Sequence, residues 1–185
     1  MVSNKLRVLV DYLEGLTAEA DLEALEALLG HLDLTRADLG RGVVFSDQRY
    51  QRNVISRSPW HELVCICWKP GQSTPIHDHE GSACAFAVIE GVATERRYEL
   101  ADDRHVVPAG SVRLRERCIC AAKDADIHAV HNLEDRELIT LHIYSPALSK
   151  YNVYTLESQL VSVEVELQTV PLLLGAGCER YDWVI

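Results

Sequence analysis

Between Asn4 and Leu32 apolar residues recur three and four apart, at Leu6, Leu9, Val10 and Leu13 and again at Leu22, Leu25, Leu28 and Leu29. That spacing gathers them on one face of a 3.6-residue helix, and Thr17 stands where a cap for a second helix is expected, so a helical N-terminal part is predicted over about residues 4–40. After that the period changes. Short apolar runs bounded by Gly, Pro and Asp follow one another: ELVCICW, SACAFAVIEG, VATERRYEL, SVRLRER, CICAA, ELITLHIYSP and SQLVSVEVEL. Such runs at regular intervals read as a mainly β protein, an antiparallel sandwich or barrel over about residues 41–175, with turns at Gly91 and Gly110. The 185 residues suffice for one well-buried core, and the helices are expected to pack on the barrel as part of a single domain.

Charge narrows the partners. A net charge of -10 and a pI near 5.2 disfavour nucleic acid, which needs clustered Lys and Arg. The polar face of the helical part is acidic, a poor fit to a DNA-reading helix pair. The first residues, MVSNKLRVLVDYLEGL, are interrupted by Lys5, Arg7, Asp11 and Glu14, and so lack the apolar core of a secretion signal. No segment has the length of a membrane span, so a cytoplasmic protein with no membrane partner is expected, as a monomer or small homo-oligomer. In that setting the six cysteines are expected as reduced thiols. Cys65/Cys67 and Cys118/Cys120 are spaced Cys-x-Cys, tighter than zinc-ribbon pairs, and read as buried apolar side chains.

The chemistry gathers around PIHDHEGSAC, Pro75 to Cys84. On a strand, His77 and His79 would share a face and both rings could reach one ion. Counting outward, Gly71 is followed by five residues, His77, His79, four residues, Cys84, six residues and Gly91. This resembles the first cupin motif, with Cys84 where that motif has its Glu ligand. Farther on, His128 and Asn132 of HAVHN are separated by three residues, as in the second cupin motif, although the Pro-x-Gly expected before that histidine is absent. The resemblance implies a cupin-type antiparallel β-barrel, jelly-roll-like, with His77, His79 and His128 on one metal and no carboxylate.

Four pieces in order, YQRN (Tyr50 to Asn53), PIHDH with Cys84, IHAVHN (Ile127 to Asn132) and TLHIYSP (Thr140 to Pro146), make the chain similar to the thiol dioxygenase family of the cupins, and within it to the cysteine dioxygenases. That resemblance implies Fe(2+) on His77, His79 and His128. It implies that Arg52, with Tyr50 beside it, holds a substrate carboxylate, and that His142 and Tyr144 form a pair near the substrate with Thr140 completing a hydrogen-bonded line. It also implies that Cys84 stands where some members form a thioether with the tyrosine. The expected reaction adds both atoms of O2 to the sulfur of L-cysteine to give cysteine sulfinic acid. Neutral imidazoles would leave the ion its full charge for an incoming thiolate. Since the substrate supplies all the electrons, no nicotinamide, flavin or 2-oxoacid is needed, in keeping with the missing Gly-rich dinucleotide fingerprint. The alternatives are a dioxygenase of 3-mercaptopropionate or mercaptosuccinate, which turns on Arg52 and its neighbour Gln51, a non-catalytic ligand-binding cupin, and a zinc or manganese cupin isomerase or decarboxylase. His131 is expected as an exposed bystander; His31, His61 and His105 carry no motif.

Overall fold

The computed structural model describes residues 3–102, 105–122, 127–156 and 161–163. Helix α1 (Asn4–Glu14) begins at Ser3, whose Oγ accepts the Leu6 N–H at 3.1 Å. Helix α2 (Leu22–Leu32) is capped by Asp21, whose Oδ1 accepts the Ala24 N–H at 3.0 Å, and not by Thr17. The reason lies between them: the Ala20 N–H donates to Ser145 Oγ at 2.8 Å, which ties the connection to a strand instead of a helix. A short α3 (Arg36–Leu39) and a single 3-10 turn (Gly40–Gly42) lead into the strands.

The strands are β1 (Gln51–Ser58), β2 (His61–Trp68), β3 (Ile76–His77), β4 (Ala83–Glu90), β5 (Val92–Asp102), β6 (His105–Arg115), β7 (Ile119–Ala122), β8 (Ile127–His131), β9 (Leu138–Ser145), β10 (Tyr151–Tyr154) and β11 (Val161–Val163). They form two antiparallel sheets, ordered β1-β2-β9-β4-β7 and β11-β10-β3-β8-β5-β6. The mainly β, cupin-type architecture expected from the sequence is present as two facing sheets: β1 and β7 end one, β11 and β6 end the other, and the sheets are not closed into a barrel. Of SQLVSVEVEL only Val161–Val163 is described; the remainder of that run, and the rest of the barrel expected to about residue 175, lies outside the described residues.

Gly91 makes the β4–β5 turn at φ 89°, and a Cβ there would stand 2.6 Å from the Glu137 carbonyl oxygen, so only glycine fits. Gly110 is not a turn. It lies inside β6, where Arg97 pairs with Gly110 but Tyr98 with Pro108, a bulge that absorbs the residue between them and lets the strand run on.

The near-continuous apolar runs of β2, β4 and β9 have a physical cause: both faces of this sheet are covered. Leu63, Cys65, Cys67, Ala85, Ala87, Ile139, Leu141 and Ile143 meet Leu6, Leu9, Leu13, Leu25 and Leu29 of the helices. The alternate residues Val64, Ile66, Trp68, Cys84, Phe86, Val88, Leu138 and Tyr144 face the second sheet. Each fully buried Leu contributes about 1.5–3 kcal/mol relative to exposure, so the helical layer is held by its apolar stripe, and the inner face is left for chemistry.

Candidate metal centre

Two short strands bring the cupin-like motifs together. Asn132 is buried and accepts the Glu134 N–H through Oδ1, while its amide donates to the carbonyls of Trp68 and Arg136; its backbone exchanges bonds with Gly71 and Gln72. This clamp seats β3 against β8 so that His77 pairs directly with His128. The strand ends at His77. His79 is reached by the following loop, so the shared-face argument is replaced by loop geometry: Asp78 turns away, accepting the backbone and side-chain amides of Asn152 at 2.8 Å each and the Tyr154 hydroxyl at 2.7 Å.

The ring centroids of His77, His79 and His128 lie 4.8 to 5.3 Å apart, edge to face, with their ligand nitrogens within 4.8 Å of one another. His77 Nδ1 is 3.0 Å from the Pro75 carbonyl oxygen; a carbonyl can only accept, so Nδ1 carries the proton and Nε2 is free. Burial, then the neighbouring His128, lowers the His77 pKa to about 3, and burial with the same neighbours lowers that of His79. Neutral, converging imidazoles fit a divalent transition metal.

His77 and His128 wall a cavity shared with Tyr50, Arg52, His142 and Tyr144. Arg52 and Ile66 are register partners, whereas Gln51 pairs with Cys67, which faces the helices; Arg52, not Gln51, reaches the cavity. Arg52 Nη2 donates to Glu62 Oε1 at 3.2 Å, and both side chains are buried. Burial alone would lower the guanidinium pKa, but Glu62 and the tyrosines hold it above its ordinary value. Arg52 Cζ lies 5.4 Å from the centre of the Tyr144 ring, and Tyr50 stacks on Trp68 at 4.8 Å. Trp68 Nε1 donates to Thr140 Oγ1 at 3.0 Å, and that hydroxyl is bonded to His142 Nε2 at 2.9 Å. The His142 and Tyr144 rings are nearly parallel, 6.0 Å apart. Burial, reinforced by Cys84 and opposed by Arg52, raises the Tyr144 pKa well beyond its usual range, which keeps the phenol protonated. Cys84 and Tyr144 are register partners across β4 and β9.

The model of the family described as cysteine dioxygenase type I matches residues 3–157. The chain belongs to this cysteine dioxygenase family. Cysteine dioxygenase type 1 of Rattus norvegicus is 26% identical over 150 residues, covering 78% of this chain and 74% of the relative. The Homo sapiens enzyme of the same name is 26% identical over 133 residues, 69% of this chain and 66% of that one. Among solved structures, a Klebsiella pneumoniae protein with a double-stranded β-helix domain superposes with TM-score 0.54 at 19% identity, over 63% of this chain and 88% of that chain. Thermus thermophilus TT1209 superposes with TM-score 0.51 at 21% identity, over 60% and 95%. These two support the cupin-type double-stranded β-helix architecture.

Three groups around the dioxygenase-type site were not singled out by sequence: Glu62, Glu95 and Arg97. Glu62 shares a strand face with Val64, Ile66 and Trp68, and Glu95 with Ala93, so a charge in an inward-facing position was the available signal. His131 is half-buried, not exposed, because Ser73 bridges to it, and it is not part of the cluster. His61 is a core histidine bonded to Ser56 and Ser58 at 2.9 Å each. The side chain of His105 and all of Cys178 lie outside the described residues. The five described cysteines form no disulfide with one another, and no helix of the described residues is long and apolar enough to cross a membrane.

Proposed function

We propose that this chain is a non-haem iron thiol dioxygenase acting in the cytoplasm on L-cysteine, with Fe(2+) held by His77, His79 and His128. The carrying observation is that two members of the three-histidine cluster, His77 and His128, wall the cavity that Arg52 and Tyr144 also line. When bound, ferrous iron supplies the site where thiolate and dioxygen meet; the sulfur gives four electrons and takes both oxygens, so no external reductant is required.

The side chains do the positioning. Arg52 offers a rigid, permanently charged fork to the substrate carboxylate, backed by Glu62. Tyr50, stacked on Trp68, closes the cavity beside it. Tyr144 presents a phenol that remains a proton donor at neutral pH, and the Trp68–Thr140–His142 line limits how the ring next to it can turn. Facing residues in an antiparallel pair have Cβ atoms about 4.5–5.5 Å apart, so a Cys84–Tyr144 thioether can form without moving a strand.

The test offers cysteine, 3-mercaptopropionate and mercaptosuccinate separately to anaerobically iron-loaded protein and measures oxygen uptake and sulfinate. Cysteine should be turned over best. Arg52→Ala should retain iron and lose roughly thirty-fold or more in kcat/KM for cysteine, the effect of removing a charged partner from a desolvated carboxylate. Cysteamine, which has no carboxylate, should be a poor substrate for both proteins. Preference for either carboxylic acid lacking the amine would move the assignment to a sibling enzyme.

A further inference from the structure

The ligand cluster contains no carboxylate, yet one stands directly behind it. Glu95 lies on β5 among inward-facing residues and is 1% exposed. Strands β5 and β8 pair Glu95 with Val130 and Arg97 with His128, so the Glu95 side chain is diagonal to the His128 ring on one face of the sheet. Its Oε1 is 3.4 Å from His128 Nδ1. Its Oε2 accepts Arg97 Nε at 3.3 Å and Nη2 at 3.0 Å. The two oxygens thus have separate tasks: the guanidinium fork fixes the plane of the carboxylate and leaves the other oxygen aimed at the imidazole.

We infer that Glu95 is a positioning residue for the metal: it accepts the Nδ1 proton of His128, fixes the ring's tautomer and orientation, and so directs Nε2 to the ion. The inference rests on the reading of the three histidines as a metal centre. An ionised carboxylate can only accept, as the Pro75 carbonyl can for His77, so two of the three ligands have their distal nitrogen assigned by an acceptor. Such partners orient the ring and raise its basicity, and losing one typically lowers metal affinity about 10–100-fold. Arg97, half-exposed, balances the charge, so the ion keeps the full positive charge that an anionic thiolate requires while one ligand is strengthened.

Two measurements test this. In the metal-free wild-type protein, long-range proton–nitrogen NMR of the imidazoles should place the His128 proton on Nδ1, and a proton on Nε2 would overturn the inference without any variant. Anaerobic titration of apoprotein with Co(II), followed by its visible d–d bands, should give a Kd raised about 10–100-fold and altered bands for Glu95→Ala. Glu95→Gln, which keeps an acceptor at the same reach, should recover part of the affinity and a wild-type-like spectrum. Glu95→Ala that folds and binds Co(II) as wild type does, with the same spectrum, would overturn the role of Glu95 alone. Wild-type apoprotein that takes up no Co(II) would overturn the metal centre itself.

Discussion

Replacing Glu62 while leaving Arg52 in place tests the most demanding arrangement in the molecule. The pair is 3.2 Å apart, with side chains 5% and 1% exposed, and Glu62 helps to hold the guanidinium proton on. When the carboxylate is removed, Arg52 cannot shed its charge, and an uncompensated buried charge costs about 3–5 kcal/mol. For a chain of this length a loss of 1 kcal/mol lowers Tm by about 2–4 °C, so Glu62→Leu should lower Tm by roughly 6–20 °C. The double variant Arg52→Met/Glu62→Leu, which removes both charges and keeps the volume apolar, should recover most of that loss while abolishing carboxylate recognition. Urea unfolding followed by far-ultraviolet circular dichroism measures each step, with an unchanged denaturant slope showing that only stability has moved. A loss below about 1 kcal/mol for Glu62→Leu is what a solvated surface pair gives, and it would refute the desolvated site from which Arg52 is argued to act. A ligand carboxylate can take over the role of counter-charge, so saturating cysteine under anaerobic conditions should raise Tm more for Glu62→Gln than for wild type.

Replacing His77, His79 or His128 by Ala should abolish iron retention and turnover, whereas His131→Ala should keep both; metal analysis of the purified variants decides it, and the reverse result for His128 and His131 would move the second motif's ligand from His128 to His131. Peptide mapping after turnover should find Cys84 and Tyr144 peptides joined with two hydrogens missing, and uniformly separate peptides would leave Cys84 as a small core residue. His61 is buried with its pKa lowered from 6.5, chiefly by desolvation with Glu14 opposing, so the unfolded chain binds its proton more readily. Its neutral form therefore contributes stability that is complete above about pH 6.5 and is lost as pH falls toward the folded value. His61→Gln should flatten the decline in unfolding free energy between pH 7 and 5, and an unchanged decline would assign it to other groups.

The parts of this molecule legible in its sequence are those whose meaning is local. Helical spacing marked the stripe at Leu6, Leu9 and Leu13 because a helix closes its own hydrogen bonds, and the His77, His79 and Cys84 spacing survived because it lies within one strand-loop-strand unit. Legibility failed where position depends on a distant segment. The start of α2 shifted from Thr17 to Asp21 because Ala20 is held by Ser145, 125 residues away in the chain. Strands β3, β8 and β10 are too short to carry a period of their own and exist because a neighbour pairs with them. Gly110 looked like a turn because a bulge uses the same residue types.

Glu62 and Glu95 combine both situations. Alternation along β2 and β5 directs each carboxylate inward, which is readable, and a buried charge must find a partner, which is physics. Which partner it finds follows only from strand order. Because β2 adjoins β1, Glu62 meets Arg52; because β5 adjoins β8, Glu95 meets His128. The same two adjacencies tie the stability of the sheets to the two things this site needs, a charged fork for a carboxylate and an oriented imidazole for an ion. A register slip of one residue in either pair would turn the glutamate to the opposite face and leave Arg52 or His128 without it. The inward carboxylates are thus a reason the strand register is specified, as well as a consequence of it.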